Sequence, residues 1–444
     1  MATVFESYIQ GHRLSEYQVF MNEFRRAAQR VAEQDRDPAV ARLVISENTF
    51  NRWRRGEVKP QRDARRVLHQ LTGASVDSLW ATENNCEGPQ SADVAAPDGY
   101  ATSASEMRRR AQMAARRAEE FAMGTERGIV GDERIGFVTD RVQALIEQYP
   151  RVALPQIWDD LFETQDQVFR LIESGRAKPS QLRDLHVLAT IVSFHASKAS
   201  HDMGDPYLAL TQARAAGVCA EQAEYPGLVA LSYGLRSLIA FWAGRPSEAM
   251  HYAQRGTAAN PQATGTSAVW LRSLEGRAAA ALGREEAAMS AIQQGQRLRG
   301  AVRPDELDRL GGLLAFPEAR QAYYTAETRV LLGHGGPEVT SLTEGAVKAL
   351  SDRTSPEWSF SDLAGAQCAL AASRLSEGEL DGVADAVRPV LDLSPGLRTR
   401  GIVLSTGRVA SALQSGPHAA VPLATSLAEE IEAYPAARMA LPGR

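Results

Sequence analysis

Residues 237–256 read SLIAFWAGRPSEAMHYAQRG. An apolar run that ends in Phe241-Trp242 stops at Gly244-Arg245-Pro246, and a second run follows. Glycine accepts the left-handed backbone that closes a helix. The stretch therefore predicts two antiparallel helices around one tight turn. Close helix crossing demands small side chains at fixed offsets. Ser237 lies seven residues before Gly244, Ala249 five after it and Gly256 twelve after it. The same arrangement recurs along the chain. Turns of this kind stand at Gly204-Asp205-Pro206, Gly283-Arg284-Glu285, Gly333-His334-Gly335 and Gly378-Glu379, and successive sites are 40, 39, 50 and 45 residues apart. Seven residues before these four glycines come Ser197, Gly276, Ala326 and Ala371. Ala209 and Ala288 repeat the position five after, and Ala216 and Gly295 the position twelve after. Three repeats agree at all three offsets, which alanine-richness alone explains poorly. The fourth carries Glu338 where a small residue is expected, so an insertion around Gly335-Gly336 shifts its register.

A period of this length predicts stacked helical hairpins, because no single hairpin buries its own apolar face. The lattice of small residues resembles the tetratricopeptide (TPR) pattern, in which the first helix of each hairpin lines a concave groove. Carried over position by position, the resemblance implies a groove lined by Lys198, His201, Asp202, Trp242, Trp270, Arg277, Arg320, Tyr323 and Glu327. Aromatic rings with mixed charges suit an extended peptide or a polar small molecule. The plainer alternatives are that Trp242 and Trp270 are packing and that Arg277 and Glu327 form a structural ion pair.

Ahead of the array, residues 45–60 read ISENTFNRWRRGEVKP. Ser46 is a good N-cap for the turn that follows it. Phe50 and Trp53, three apart, share one helix face, and Ile45 packs against it. The opposite face carries Asn48, Asn51, Arg52, Arg54 and Arg55. Gly56 ends the helix and Pro60 prevents its resumption. A second helix follows, with Val67, Leu68 and Leu71 on one side and Arg62, Arg65 and Arg66 on the other. An amphipathic helix over residues 15–33 precedes the pair, burying Val19, Phe20, Phe24, Ala27, Ala28 and Val31. Val76, Leu79 and Trp80 close this small core.

The order Ser, Phe-x-x-Trp, Arg-Gly, Pro and a Leu-rich helix resembles the second half of a Cro-repressor-like (XRE-type) helix-turn-helix. The tight turn usual before the recognition helix is replaced here by the longer stretch 34–44, which contains Asp37-Pro38. Residues 154–175 (LPQIWDDLFETQDQVFRLIESG), 199–205 (ASHDMGD), 267–283, 355–365 and 387–403 add a further likeness. Together with residues 237–256 they resemble actinobacterial regulators that join such a domain to a TPR-like one. The layout is also similar to peptide-sensing quorum regulators, where groove occupancy alters dimer geometry and so DNA affinity. The resemblance implies a double-stranded DNA operator, an inverted repeat, bound by a homodimer. Ser46, Asn48, Thr49, Asn51 and Arg52 would face the major groove, since Asn pairs with adenine and Arg with guanine. Arg54, Arg55, Lys59 and Arg62 would hold phosphates.

Composition fits this division. With 444 residues the chain is too long for one core, and 44% hydrophobic with 23% charged residues is ordinary globular material. Net charge is −5, yet residues 42–66 carry eight basic residues against three acidic ones, a basic patch on an acidic chain. The expected fold is all-α. Residues 1–81 form the helix-turn-helix domain, 82–105 a flexible linker, 106–151 connecting helices, and 152–434 a TPR-like α-solenoid. The basic face of a helix over 106–120 would touch DNA backbone or pack in a dimer. Residues 124–136 break the helical pattern, which resumes at Phe137. Three scattered cysteines (Cys86, Cys219, Cys368), no spanning apolar run and no secretory leader at residues 1–10 predict a cytoplasmic protein. No phosphate loop, His-Glu-x-x-His motif or nucleophile elbow occurs, so neither catalysis nor a cofactor or metal is expected. His195, Lys198, His201, Asp202 and Asp205 read as a helix end and turn. A rival reading is an interaction scaffold whose first domain holds protein rather than DNA.

Overall fold

The computed structural model describes residues 3–11, 14, 16–34, 40–72, 79–80 and 130–434. The expected linker 82–105, the basic helix over 106–120 and Val76 lie outside these residues. The chain divides into two compact units, residues 1–107 and 108–444. Helices α1–α19 are numbered below as they occur among the described residues, where no β-strand is present.

The first unit holds α1 (Val4–Gly11), α2 (Tyr17–Gln34), α3 (Glu47–Arg54) and α4 (Arg62–Thr72). Phe20, Phe24, Ala27, Ala28 and Val31 form the buried stripe of α2, as their spacing predicts. Val19 does not belong to it. It is 40% exposed, and Met21 is buried instead, because a face centred on Phe20 and Phe24 turns Val19 outward. Phe20 stacks on Phe50 of α3 at 4.5 Å. Helix α1 has no counterpart in the sequence reading. Phe5 and Ile9, four apart, are fully buried, and Phe5 stacks on Trp80 at 4.8 Å. Ala64, Val67 and Leu68 bury the inner side of α4, and Leu79 joins the same core.

The second unit is a run of antiparallel hairpins. Helix α5 (Asp132–Gln148) pairs with α6 (Trp158–Glu173), α7 (Pro179–Met203) with α8 (Pro206–Gln222), α9 (Pro226–Trp242) with α10 (Pro246–Ala259), and α11 (Thr266–Ala281) with α12 (Glu285–Gly300). After the short α13 (Glu306–Leu310) come α14 (Glu318–Leu331) with α15 (Pro337–Leu350), α16 (Phe360–Ser376) with α17 (Leu380–Leu391), and α18 (Arg400–Ser415) with α19 (Pro422–Ala433). Helix α5 begins at Asp132, five residues before the expected resumption at Phe137. Gly136 sits inside it, and Val138, Val142, Leu145 and Ile146 join the main core.

All five turn glycines adopt positive φ, from 68° at Gly283 to 99° at Gly204. The small residues at the fixed offsets are buried where helices cross. The hydroxyls of Ser197 and Ser237 donate to the Ala209 and Ala249 carbonyls, each at 2.7 Å. These are the same two offsets in consecutive hairpins. In the third hairpin the pair becomes Gly276 and Ala288, and a Cβ on Gly276 would stand 3.6 Å from the Ala288 carbonyl oxygen. The fourth turn is longer. Helix α15 starts at Pro337 after a second left-handed glycine, Gly336. Val339 and Thr340 are therefore buried, while Glu338 points outward to Arg329.

The array curls back on itself within this unit. Helix α18 packs against α7, the Phe360 amide donates to the Pro150 carbonyl at 3.2 Å, and Arg151 donates to the Ser355 carbonyl. No described helix is long and apolar enough to cross a membrane.

Candidate functional site

Two constellations carry chemistry, one in each unit. In the first, Ser46 caps α3, its hydroxyl accepting from the Thr49 amide at 3.2 Å. At the other end the Gly56 amide donates to the Trp53 carbonyl and the Glu57 amide to Arg52, which satisfies the last carbonyls of the helix. Phe50 and Trp53 are buried. Trp80 meets Trp53 edge to face and donates its indole N–H to the Val58 carbonyl. Fixing the inner face in this way leaves Ser46, Asn48, Arg52, Arg55 and Lys59 exposed, with Thr49 and Asn51 half-buried. Arg52 and Arg55 both approach Glu57, at 3.7 and 3.2 Å, as solvent-exposed pairs. Arg54 differs. Its guanidinium grips Glu6 of α1 through Nε at 2.9 Å and Nη2 at 2.8 Å, and this bond holds the Glu6 carboxyl below its ordinary value. The backbone of Arg62 opens α4, and its side chain lies outside the description.

In the second unit the inner helices α7, α9, α11, α14, α16 and α18 face a common cavity. It has two lobes, which share Lys198, Leu238, Tyr324, Ser361 and Asp362 as walls. The first lobe is chiefly apolar: Phe194, Leu231, Leu235, Trp270, Leu314 and Phe316 line it, with Arg320 at its edge. Ser267, also on its wall, keeps a buried hydroxyl without a hydrogen-bond partner. The second lobe is polar and is lined by His201, Asp202, Trp242, Arg277, Tyr323, Thr399 and Ser405. Every groove residue expected from the sequence except Glu327 thus lines one lobe or the other, and Glu327 pairs with Arg277 behind them.

The charges are tightly tied. Lys198 Nζ lies 2.6 Å from both oxygens of Asp202, which also accepts from the Tyr149 hydroxyl at 2.9 Å. Arg320 Nε lies 2.6 Å from Asp362 Oδ2. Arg277 is only 2% exposed. Its guanidinium sits over Tyr324 at 4.3 Å, Phe241 at 4.5 Å and Trp242 at 5.3 Å. Its Nε is 2.8 Å from Glu327 Oε2, but the contact is poorly aligned, and neither Nε nor Nη2 has a hydrogen-bond partner. Burial works against its charge, while Glu327 and the tyrosines outweigh that penalty and raise its pKa. Three ring faces substitute for part of the lost hydration. Arg408 of α18 rests on the same two rings, 5.1 Å from Phe241 and 4.7 Å from Trp242, and reaches Glu327 at 3.3 Å. Burial pushes His195 and His201 down to about 4, so both imidazoles are neutral near pH 7.

Asp362, Tyr324, Phe194 and the α18 residues Gly401, Ile402 and Ser405 were not expected at the cavity. A partial signal exists for this face: Lys198, Leu238, Arg277 and Glu327 each stand six residues before a turn glycine. The carboxylate of Asp362 gives no such signal, because its partner Arg320 lies 42 residues away. No family model matches the chain, and no curated protein or solved structure matches it either.

Proposed function

We propose that the chain is a sequence-specific DNA-binding transcriptional regulator, with an XRE-type helix-turn-helix in its first unit and a TPR-like sensor in its second. The observation that carries this reading is α3. A short helix is capped at both ends and anchored by Phe50 and Trp53, and it turns Asn48, Arg52 and Arg55 outward. Eight residues of helix make two turns, enough to lay one polar face along a major groove. In this reading Ser46, Asn48, Thr49, Asn51 and Arg52 meet base edges. Arg55, Lys59 and Arg62 neutralise phosphates. Arg54, held by Glu6, sets the position of α3 instead of meeting phosphate. The exposed pairs of Arg52 and Arg55 with Glu57 are weak and exchange readily for phosphate or base contacts.

The second unit binds a peptide, small-molecule or protein signal in its cavity. That occupancy changes the geometry of a homodimer and with it the affinity for an inverted-repeat operator. The site of action is the cytoplasm. Asn51→Ala and Arg52→Ala should each relax base preference at their own positions and cost about 1–3 kcal/mol of operator binding. Arg55→Ala should instead weaken all duplexes alike and flatten the salt dependence. Fluorescence anisotropy on operator and scrambled duplexes at several salt concentrations reads all three. Unchanged affinity and preference in both Asn51→Ala and Arg52→Ala would remove α3 from the DNA interface.

A further inference from the structure

We infer that the cavity of the second unit takes one compact amphiphile, with a non-polar ring or short chain in the apolar lobe and a single carboxylate in the lobe lined by Arg277. This deepens the sensor reading above and rests on it. Burial of the walls sets the size. Because α18 packs on α7, the inner helices converge on the cavity, and Arg277, Tyr323 and Trp270 on its wall are nearly inaccessible. An extended peptide needs an open trough, whereas two adjoining lobes walled by nearly inaccessible side chains suit a small molecule.

Charge sets the head group. Lys198 and Arg320 each have a carboxylate of their own. Glu327 is shared by two guanidiniums, those of Arg277 and Arg408. Arg400 lines a recess that shares His201 and Trp242 with the polar lobe, and no ion pair joins it to a carboxylate among the described residues. The neighbourhood is therefore short of anions by two. A surplus of partly desolvated positive charge is costly, and an entering anion offsets it. Arg277 also keeps a buried Nη2 with no hydrogen-bond partner, and Ser267 offers one free hydroxyl in the apolar lobe. A free organic acid and the C-terminal residue of a very short peptide present the same chemistry.

The test uses purified full-length chain and follows tryptophan fluorescence, since Trp242 and Trp270 line the two lobes. Calorimetry checks the same titrations. The probes are phenylacetate, indole-3-acetate and octanoate, their primary amides, and N-acetyl dipeptides ending in Phe or Leu. At least one acid or dipeptide should bind saturably, and the matching amide about tenfold or more weakly. Tighter binding of the dipeptides would assign the carboxylate to a peptide terminus, and tighter binding of the free acids to a metabolite. Arg277→Gln should abolish the preference for acid over amide. Should that variant not fold, Arg400→Gln, at a half-exposed position, should reduce the preference severalfold. Amides binding as well as acids, a preference untouched by Arg400→Gln, or no binding of any probe up to about 10 mM would each overturn the inference. Operator binding is measured on the same samples. A chain that binds acids but no DNA overturns the regulatory reading and leaves the ligand class standing.

Discussion

Two glycines with opposite surroundings show how closely single residues are determined. Gly56 has φ of +70°, and a Cβ there would fall 2.8 Å from Thr3 Cγ2. Gly56→Ala should therefore destabilise the first unit by about 1–2 kcal/mol, through left-handed strain together with the clash. Gly136 lies within α5, where a Cβ would meet nothing within 4 Å. Gly136→Ala should stabilise by about 0.5–1 kcal/mol, because only backbone entropy is at stake. Urea unfolding of the full chain, followed by tryptophan fluorescence and circular dichroism, measures both. Equal effects of one sign would contradict these assignments. Arg54 and Arg277 illustrate a different lesson. Each is basic in sequence and each is held by one acid, with Phe50 against Arg54 and three rings around Arg277. Sequence alone does not separate such a guanidinium from one that meets solvent.

At the scale of elements, legibility follows sequence distance. The turn glycines, the small residues around them and the Ser46, Phe50, Trp53 and Gly56 set of α3 are local and periodic, and the chain displays them openly. Helix α1 is not readable in this way. Eight residues hardly make a stable helix alone, so its existence depends on the contacts of Phe5 with Phe20, Trp53 and Trp80. The helix crossings yield a quantitative expectation. A Cβ on Gly256 would stand 2.6 Å from Leu271 Cδ2 and 3.0 Å from the Ala230 carbonyl oxygen. Gly256→Ala should push α10 away from α9 and α11 at a cost of about 1–3 kcal/mol, read by unfolding. Gly345→Ala, inside α15 with open space around it, is the control and should not destabilise. The cap of α3 makes a smaller test: Ser46→Ala should cost about 1 kcal/mol.

For the whole molecule, the closure of the second unit is what sequence hides most completely. Arg408 and Glu327 are 81 residues apart, and no period brings α18 to α7. The expected groove residues were legible because each sits on the inner helix of its own hairpin. Their convergence on one cavity was not, because it depends on how seven hairpins accumulate curvature. The buried histidines tie this closed state to pH. His195 and His201 titrate near 6.5 when unfolded and at about 4 when folded. Above about pH 6.5 both are neutral in either state and contribute no pH dependence. As pH falls from about 6.5 to 4, the unfolded chain binds protons that the folded chain refuses, so stability declines. Urea midpoints should drop between pH 7.5 and 5, and His195→Gln with His201→Gln should flatten that slope. An unchanged slope in the double variant would place the proton uptake elsewhere.

The most direct test of the central claim is selection of bound sequences from random duplex DNA with the full-length chain at near-physiological salt. Enrichment of one inverted repeat is expected, with half-sites that lose definition in Asn51→Ala and Arg52→Ala. No enriched sequence, from the full-length chain and from residues 1–81 alike, would contradict it and leave a helical-repeat protein whose first unit holds a protein partner.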